Sequence, residues 1–217
     1  MVILGLTGSI GMGKSTAAAM LRRMGVPVHD ADVAVHRLTG SGGAAVAAIG
    51  AAFPGTVTGG AVDRKKLGAV VFADSTALRR LETILHPLVR SEETRFLCAC
   101  ARRRVPAVAL NIPLLYETEG QARCDAVAVV SAPAMAQRAR VLSRAGMTGD
   151  KLAGVLRRQM SDAEKRRRAD FVVRTGLTKR ATWRQLSRIV AALKSRRGRK
   201  WRPGATLTWT AKGIGHA

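Results

Sequence analysis

The sequence predicts an α/β fold: three layers, with a doubly wound parallel sheet of five strands covered by helices on both faces. Three observations predict it. Short apolar runs alternate with helix-spaced stretches along the 217 residues, the order expected of parallel strands joined by crossover helices. The first apolar run passes straight into a glycine-rich turn and then a helix. Residues 33–104 carry three or four helical stretches and no strand, which marks a helical insertion into the sheet's chain order.

The first strand is 2–6, Val-Ile-Leu-Gly-Leu, and its helix follows the turn with Ala17, Ala18, Ala19, Met20 and Leu21. The run 26–29 is a short second strand ending in Asp30-Ala31-Asp32. A helix over 33–38 breaks at Gly40–Gly43, and 44–53 is a weak Ala-rich helix ahead of Pro54. Asp63 caps a helix bearing Leu67, Val70, Val71 and Phe72. Asp74 or Ser75 opens another, with Leu78, Leu81, Ile84 and Leu85 on one face. His86-Pro87 marks a kink or boundary, after which a helix resumes over 88–104. Strands three, four and five are 106–110, 126–131 and 171–173. Helices at 134–144, 149–160 and 182–193 complete the pattern. From Ser195 the periodicity is lost, so 195–217 reads as a basic, mobile tail on a domain of 1–194, with Trp201 and Trp209 able to dock.

The turn after the first strand has the form G-x-x-x-x-G-K-[ST]: Gly8-Ser-Ile-Gly11-Met12-Gly13-Lys14-Ser15, followed by Thr16. Strand, loop and helix in that order are the context in which this motif cradles phosphates. Its glycines let main-chain N–H groups converge on phosphate oxygens, and the helix adds the positive end of its dipole. Gly8, Gly11, Met12, Gly13, Lys14, Ser15 and Thr16 are therefore the ATP-binding candidates, with Lys14 reaching the β/γ-phosphates and Ser15 a ligand for Mg²⁺.

Composition narrows the classes. No apolar run approaches the ~18 residues of a membrane span, and no charged n-region precedes 2–6, so neither a membrane partner nor a secretory signal is expected. Cys98, Cys100 and Cys124 have no metal-ligand spacing and suit free thiols in a reducing, cytoplasmic setting. The net charge is +23, concentrated between residues 157 and 202, where seventeen Lys/Arg face three acidic residues. That balance attracts polyanions, nucleotide or nucleic acid, or simply solvates a basic surface.

No guanine-recognition tetrad is present and the chain is short for a motor ATPase, which leaves a small kinase. A kinase needs a group to take the acceptor's proton and cations over the transferring phosphoryl. Asp30 and Asp32 lie at the C-terminal end of a strand, the ligand-binding edge of an open α/β sheet. They point together if the backbone stays extended and diverge if it turns helical, and either could instead cap the next helix. Asp32 is the better base. Arg138, Arg140 and Arg144 on the helix after strand four are phosphate-covering candidates or plain surface arginines. A second reading is a nucleic-acid-binding ATPase using the basic C-terminal third, although no RNA-recognition signature is present and no specific nucleic acid is expected.

Several separated segments resemble the dephospho-CoA kinase family: 5–16, Asp30-Ala31-Asp32, Asp63-Arg64, Leu85-His86-Pro87-Leu88, Ile112-Pro113-Leu114-Leu115-Tyr116-Glu117, Gln159, and Ala169-Asp170-Phe171-Val172-Val173. The resemblance covers about residues 2–193. It implies phosphorylation of the ribose 3′-hydroxyl of dephospho-CoA by ATP and Mg²⁺, the last step of CoA synthesis. It implies Asp32 as catalytic base and Lys14 and Arg140 on the transferring phosphates. It further implies an acceptor site on the insertion at 33–104 with His86, Pro113, Leu114 and Tyr116, and a lid over about 138–168. Two departures stand out: Asn111 where many relatives carry Asp, and Arg174 where acidic or Asn-type residues are usual.

Overall fold

The computed structural model describes residues 1–201, with backbone alone for Phe72 and Ala73; Trp209 and the rest of 202–217 lie outside the described residues. Five parallel strands form the main sheet: β1 (Val2–Thr7), β2 (Val28–Asp30), β5 (Ala107–Asn111), β6 (Ala126–Ser131) and β7 (Phe171–Arg174), in the order β2-β5-β1-β6-β7. Every pair between them is parallel, with Leu6 opposite both Asn111 and Ala128. The near-continuous apolar character of β1, β5 and β6 follows from burial on both faces.

Side-chain alternation along β1 divides the core in two. Val2, Leu4 and Leu6 pack on α1 (Lys14–Arg23) and α9 (Lys179–Lys194), beside Leu21, Leu186 and Leu193. Ile3, with Val108, Leu110 and Val129, faces Leu97 and Cys100 of α5 (Ser75–Arg102). A third cluster belongs to the insertion: α2 (Ala31–Thr39), α3 (Val46–Ala52), α4 (Arg64–Ala73) and the first half of α5 surround Leu38, Ile49, Phe53 and Leu67.

The insertion is not purely helical. β3 (Val57–Thr58) and β4 (Ala61–Val62) pair antiparallel, turned by Gly59 and Gly60 at φ of 59° and 73°. Two successive left-handed residues are what a tight hairpin turn demands, so the Gly-Gly pair between Val-Thr and Ala-Val was the signal for this hairpin. Nor does His86-Pro87 end a helix: α5 runs unbroken through Pro87. Proline inside a helix costs about 3 kcal/mol, but fully burying one large aliphatic side chain returns about 1.5–3 kcal/mol. Leu81, Ile84, Leu85, Leu88 and Val89 all flank the proline and pack into the insertion core. Packing on both sides outweighs the lost hydrogen bond.

Three shorter helices, α6 (Ala134–Leu142), α7 (Gly149–Arg157) and α8 (Asp162–Arg168), link β6 to β7. The stretch 149–160 thus ends at Arg157, and α8 starts on its own Ser161 cap. The chain after α9 does not leave the domain at once. Arg199 and Lys200 donate backbone N–H to Asp125 Oδ1 at 2.6 and 3.0 Å, and Trp201 packs beneath the sheet on the α5 side. Residues 199–201 thus lie against the sheet-bearing part of the chain. The cysteines are free, with Cys98 and Cys100 on α5.

Candidate active site

The loop after β1 crosses the C-terminal edge of the sheet beside the point where strand order reverses. Gly11 and Gly13 have φ of 76° and 92°, and Gly13 caps α1 without a side-chain hydrogen bond. A Cβ on Gly11 would lie 2.5 Å from Val141 Cγ2, so glycine is also what lets α6 close onto the loop. Ser15 and Thr16, in the first turn of α1, are exposed. A cleft of about 710 Å³ opens over Gly8 to Thr16 and is walled by Asp32, Pro113, Arg140, Gln159 and Thr175.

The sequence left the Asp30–Asp32 pair ambiguous, and the backbone resolves it. Asp30 ends β2 in extended geometry and caps α2, accepting from the N–H of Asp32 and Val33 at 3.1 and 3.4 Å. Asp32 sits in the first helical turn, where its direction departs from that of Asp30, and its side chain is 71% exposed. It faces Lys14, with Nζ 3.9 Å from Asp32 Oδ2. Asn111, at the end of β5, joins the two sides: its amide donates to Asp30 Oδ2 at 2.6 Å and its oxygen accepts from Lys14 Nζ at 3.1 Å. Burial lowers the Lys14 pKa, while Asp32 and Asp30 oppose the shift.

On the opposite wall, Arg140 donates to Thr175 O at 2.7 Å, to Thr175 Oγ1 at 3.2 Å and to Gly11 O at 3.4 Å. Thr175 Oγ1 itself donates to Met12 O at 2.5 Å. Met12 is buried, its sulfur accepting from Ala132 N–H at 3.1 Å. Gln137 donates to Ile10 O and Gln159 accepts from Ile10 N–H, so the loop backbone is held from α6 and from the turn between α7 and α8. Thr175 and Gln137 were missed by sequence reading, because lone polar residues outside any spacing motif give no signal.

The acceptor candidates scatter. Pro113 lines the cleft, and its carbonyl accepts from Thr7 Oγ1 at 2.9 Å. Leu114 is 40% exposed on the adjoining segment. His86 is half-buried on α5 and does not line the cleft. Tyr116 lies in the core with Leu97 and Leu115; among the described residues its buried hydroxyl has no hydrogen-bond partner, and burial pushes its pKa up to about 12. Arg138 and Arg174 are exposed, whereas Arg144 reaches the cleft.

Among the described residues no cluster of three or more His, Cys, Asp or Glu could hold a metal. Mg²⁺ at a triphosphate does not need one, since it keeps waters and phosphate oxygens and takes only one or two protein ligands. The exposed Ser15 hydroxyl in the cleft, with Asp32 on its far side, fits that donor set.

A parallel sheet ending in this loop, with a lysine at its head and helices over the cleft, defines the class: a nucleotide-binding kinase of the phosphate-loop type. The family can be stated as firmly. Residues 2–179 match the model of the dephospho-CoA kinase family, and the chain belongs to that family. A dephospho-CoA kinase of Paramagnetospirillum magneticum is 66% identical over 76% of this chain and 78% of its own. One from Mesorhizobium japonicum is 52% identical over 91% of this chain and 100% of its own. Among solved structures, a Thermus thermophilus protein superposes with a TM-score of 0.78 at 35% identity, covering 88% of this chain and 96% of that one. Dephospho-CoA kinase from Campylobacter jejuni gives 0.66 at 22% identity over 88% and 96%, a likeness of fold.

Proposed function

We propose that the chain transfers the γ-phosphoryl group of ATP to the ribose 3′-hydroxyl of dephospho-CoA, giving ADP and CoA, and that Asp32 is its base. The observation that carries this reading is the placement of Asp32: a carboxylate open to the cleft, 3.9 Å from the phosphate-loop lysine, in the first helical turn after an edge strand. Lys14 is poised by Asn111 rather than neutralised by it, because an amide oxygen accepts without cancelling charge. When the triphosphate enters, main-chain N–H groups of Gly11 to Ser15 take its oxygens and Lys14 bridges the β/γ-phosphates. Asp32 accepts the proton of the 3′-hydroxyl as that oxygen bonds to γ-phosphorus and the bond to the β,γ-bridging oxygen breaks. Arg140, already at the cleft wall, meets the charge that develops on the equatorial oxygens.

Mg²⁺ held by Ser15, phosphates and water would supply further charge neutralisation. The helical insertion at 33–104 lies on the Asp32 side of the cleft and suits the acceptor, with Pro113 on its wall. The segment 138–168 bears Arg140, Arg144 and Gln159 over the loop, the arrangement of a lid. Among the described residues no helix is long and apolar enough to cross a membrane.

The test is ADP release from ATP across an acceptor panel of dephospho-CoA, shikimate, nucleosides and nucleoside monophosphates. Turnover is expected with dephospho-CoA. Turnover confined to another acceptor overturns the substrate and keeps the kinase.

A further inference from the structure

Among the described residues Lys165 is the largest side chain with essentially no solvent exposure. It sits on α8, and its ammonium lies 2.8 Å from Glu117 Oε1, an ion pair whose lysine side chain is 0% exposed. The contact lies off the hydrogen-bond line, so among the described residues the ammonium has no aligned acceptor and Glu117 Oε2 has no donor. Glu117 Oε1 also accepts the backbone N–H of Met160 at 2.9 Å. A fully buried ammonium is paired, with incomplete compensation, to a carboxylate side chain only 17% exposed, an arrangement that well-packed apolar side chains generally match or better in stability. Stability therefore gives no reason for a charged pair here.

Its position does. Glu117 lies four residues beyond Pro113, which forms the acceptor-side wall of the cleft. Met160 directly follows Gln159, which lines the opposite wall and accepts from Ile10 N–H of the phosphate loop. Asp162, at the start of α8, accepts from Ser131 Oγ at 2.8 Å and anchors the same stretch to the end of β6. The Lys165 charge is felt at Lys14, where it opposes protonation.

We propose that Lys165 and Glu117 are positioning residues for phosphoryl transfer: a buried ionic clasp between the 113–118 segment and the base of α8 that sets the distance between the two walls of the cleft. Neither side chain touches the reacting atoms. The clasp holds Gln159 against Ile10 and the acceptor wall at Pro113, so that the attacking oxygen and the γ-phosphate meet in line. Small displacements of such walls are costly, because a misplacement of about 1 Å can lower turnover on the order of 10²-fold. This inference rests on the kinase reading above and deepens it.

The experiment is a double-mutant cycle on the full chain with Lys165→Met, Glu117→Gln and the two combined, measuring Tm, kcat and the KM for ATP and dephospho-CoA. Glutamine keeps an oxygen for Met160 N–H. Each single variant leaves an uncompensated buried charge and is expected to melt lower. The double variant is expected to recover the wild-type Tm, yet to keep a kcat about 10- to 100-fold down with the KM for ATP within about twofold. A double variant that recovers both Tm and kcat overturns the proposal, since the pair would then be a matter of packing. One that stays as unstable as the singles also overturns it, because the charges would not be partners. Wild-type enzyme in the same assay separates the two ideas: an inactive wild type refutes the substrate, an active wild type with an active double variant refutes only the clasp.

Discussion

Two aspartates two residues apart illustrate how a helix boundary divides labour. Asp30 is bound into structure, capping α2 and fixing the Asn111 amide, whereas among the described residues the Asp32 carboxylate pairs only with Lys14. Asp32→Asn is expected to lower kcat about 10²–10⁴-fold, the usual range for a general base, with the KM for ATP and Tm unchanged. Near-normal turnover would remove Asp32 from that role. Asp30→Ala is expected to behave in the opposite sense, losing about 1 kcal/mol of stability with the cap, read as a fall in Tm. The Asn111 departure acquires a physical reason at this scale. An amide can donate to Asp30 and accept from Lys14 at once, which a carboxylate in that place could not do.

Among the elements, α5 ties the insertion to the sheet, with Leu81 in one core and Leu97 and Cys100 in another. Its Glu93 is buried and contacts Arg90 and, more closely, Arg123 of the turn before β6. Burial outweighs the nearby guanidinium of Arg90 and pushes its pKa up from 4.5 to about 7. A carboxyl with a raised folded pKa holds its proton more tightly folded than unfolded, so this group's contribution declines as pH rises from about 4.5 through about 7. Thermal melts of Glu93→Gln between pH 5 and 8 are expected to lack that decline, and an unchanged slope would assign it elsewhere. The elements also show what the sequence makes legible. The main strands, the phosphate loop and the Asp63 cap follow from local rules of period, glycine and capping. The unbroken α5 does not, because the packing that overrides Pro87 comes from α2, α3 and α4. The Lys165–Glu117 pair was invisible for the same reason: it joins residues 48 positions apart, and Lys165 reads as one more member of a basic run.

At the scale of the whole molecule, the C-terminal edge of the sheet carries the cleft, and the opposite end is closed by the chain that follows α9. Asp125 accepts from Ile3 N–H with one oxygen and from Arg199 and Lys200 N–H with the other, joining β1 to residues far along the sequence. Gly198 approaches the first residue so closely that a Cβ there would stand 1.9 Å from Met1 O. Only a residue without a side chain lets the two backbones meet. None of the described residues 195–201 lines the cleft, so their effect should appear in stability and leave catalysis alone. A chain ended at Lys194 is expected to melt lower than one ended at Trp201, because it loses both hydrogen bonds to Asp125 and the Trp201 contact with the α5-side core. Each backbone bond to a charged acceptor contributes about 1.5–3 kcal/mol, so the deficit should be measurable by denaturant titration. Gly198→Ala, made in the full chain, is expected to reproduce part of that deficit without removing any donor. Both variants should keep kcat at temperatures below their melting. Equal stability of the 194 and 201 chains would show that the strap merely lies against the sheet, and lost turnover at equal stability would place it in contact with the catalytic end.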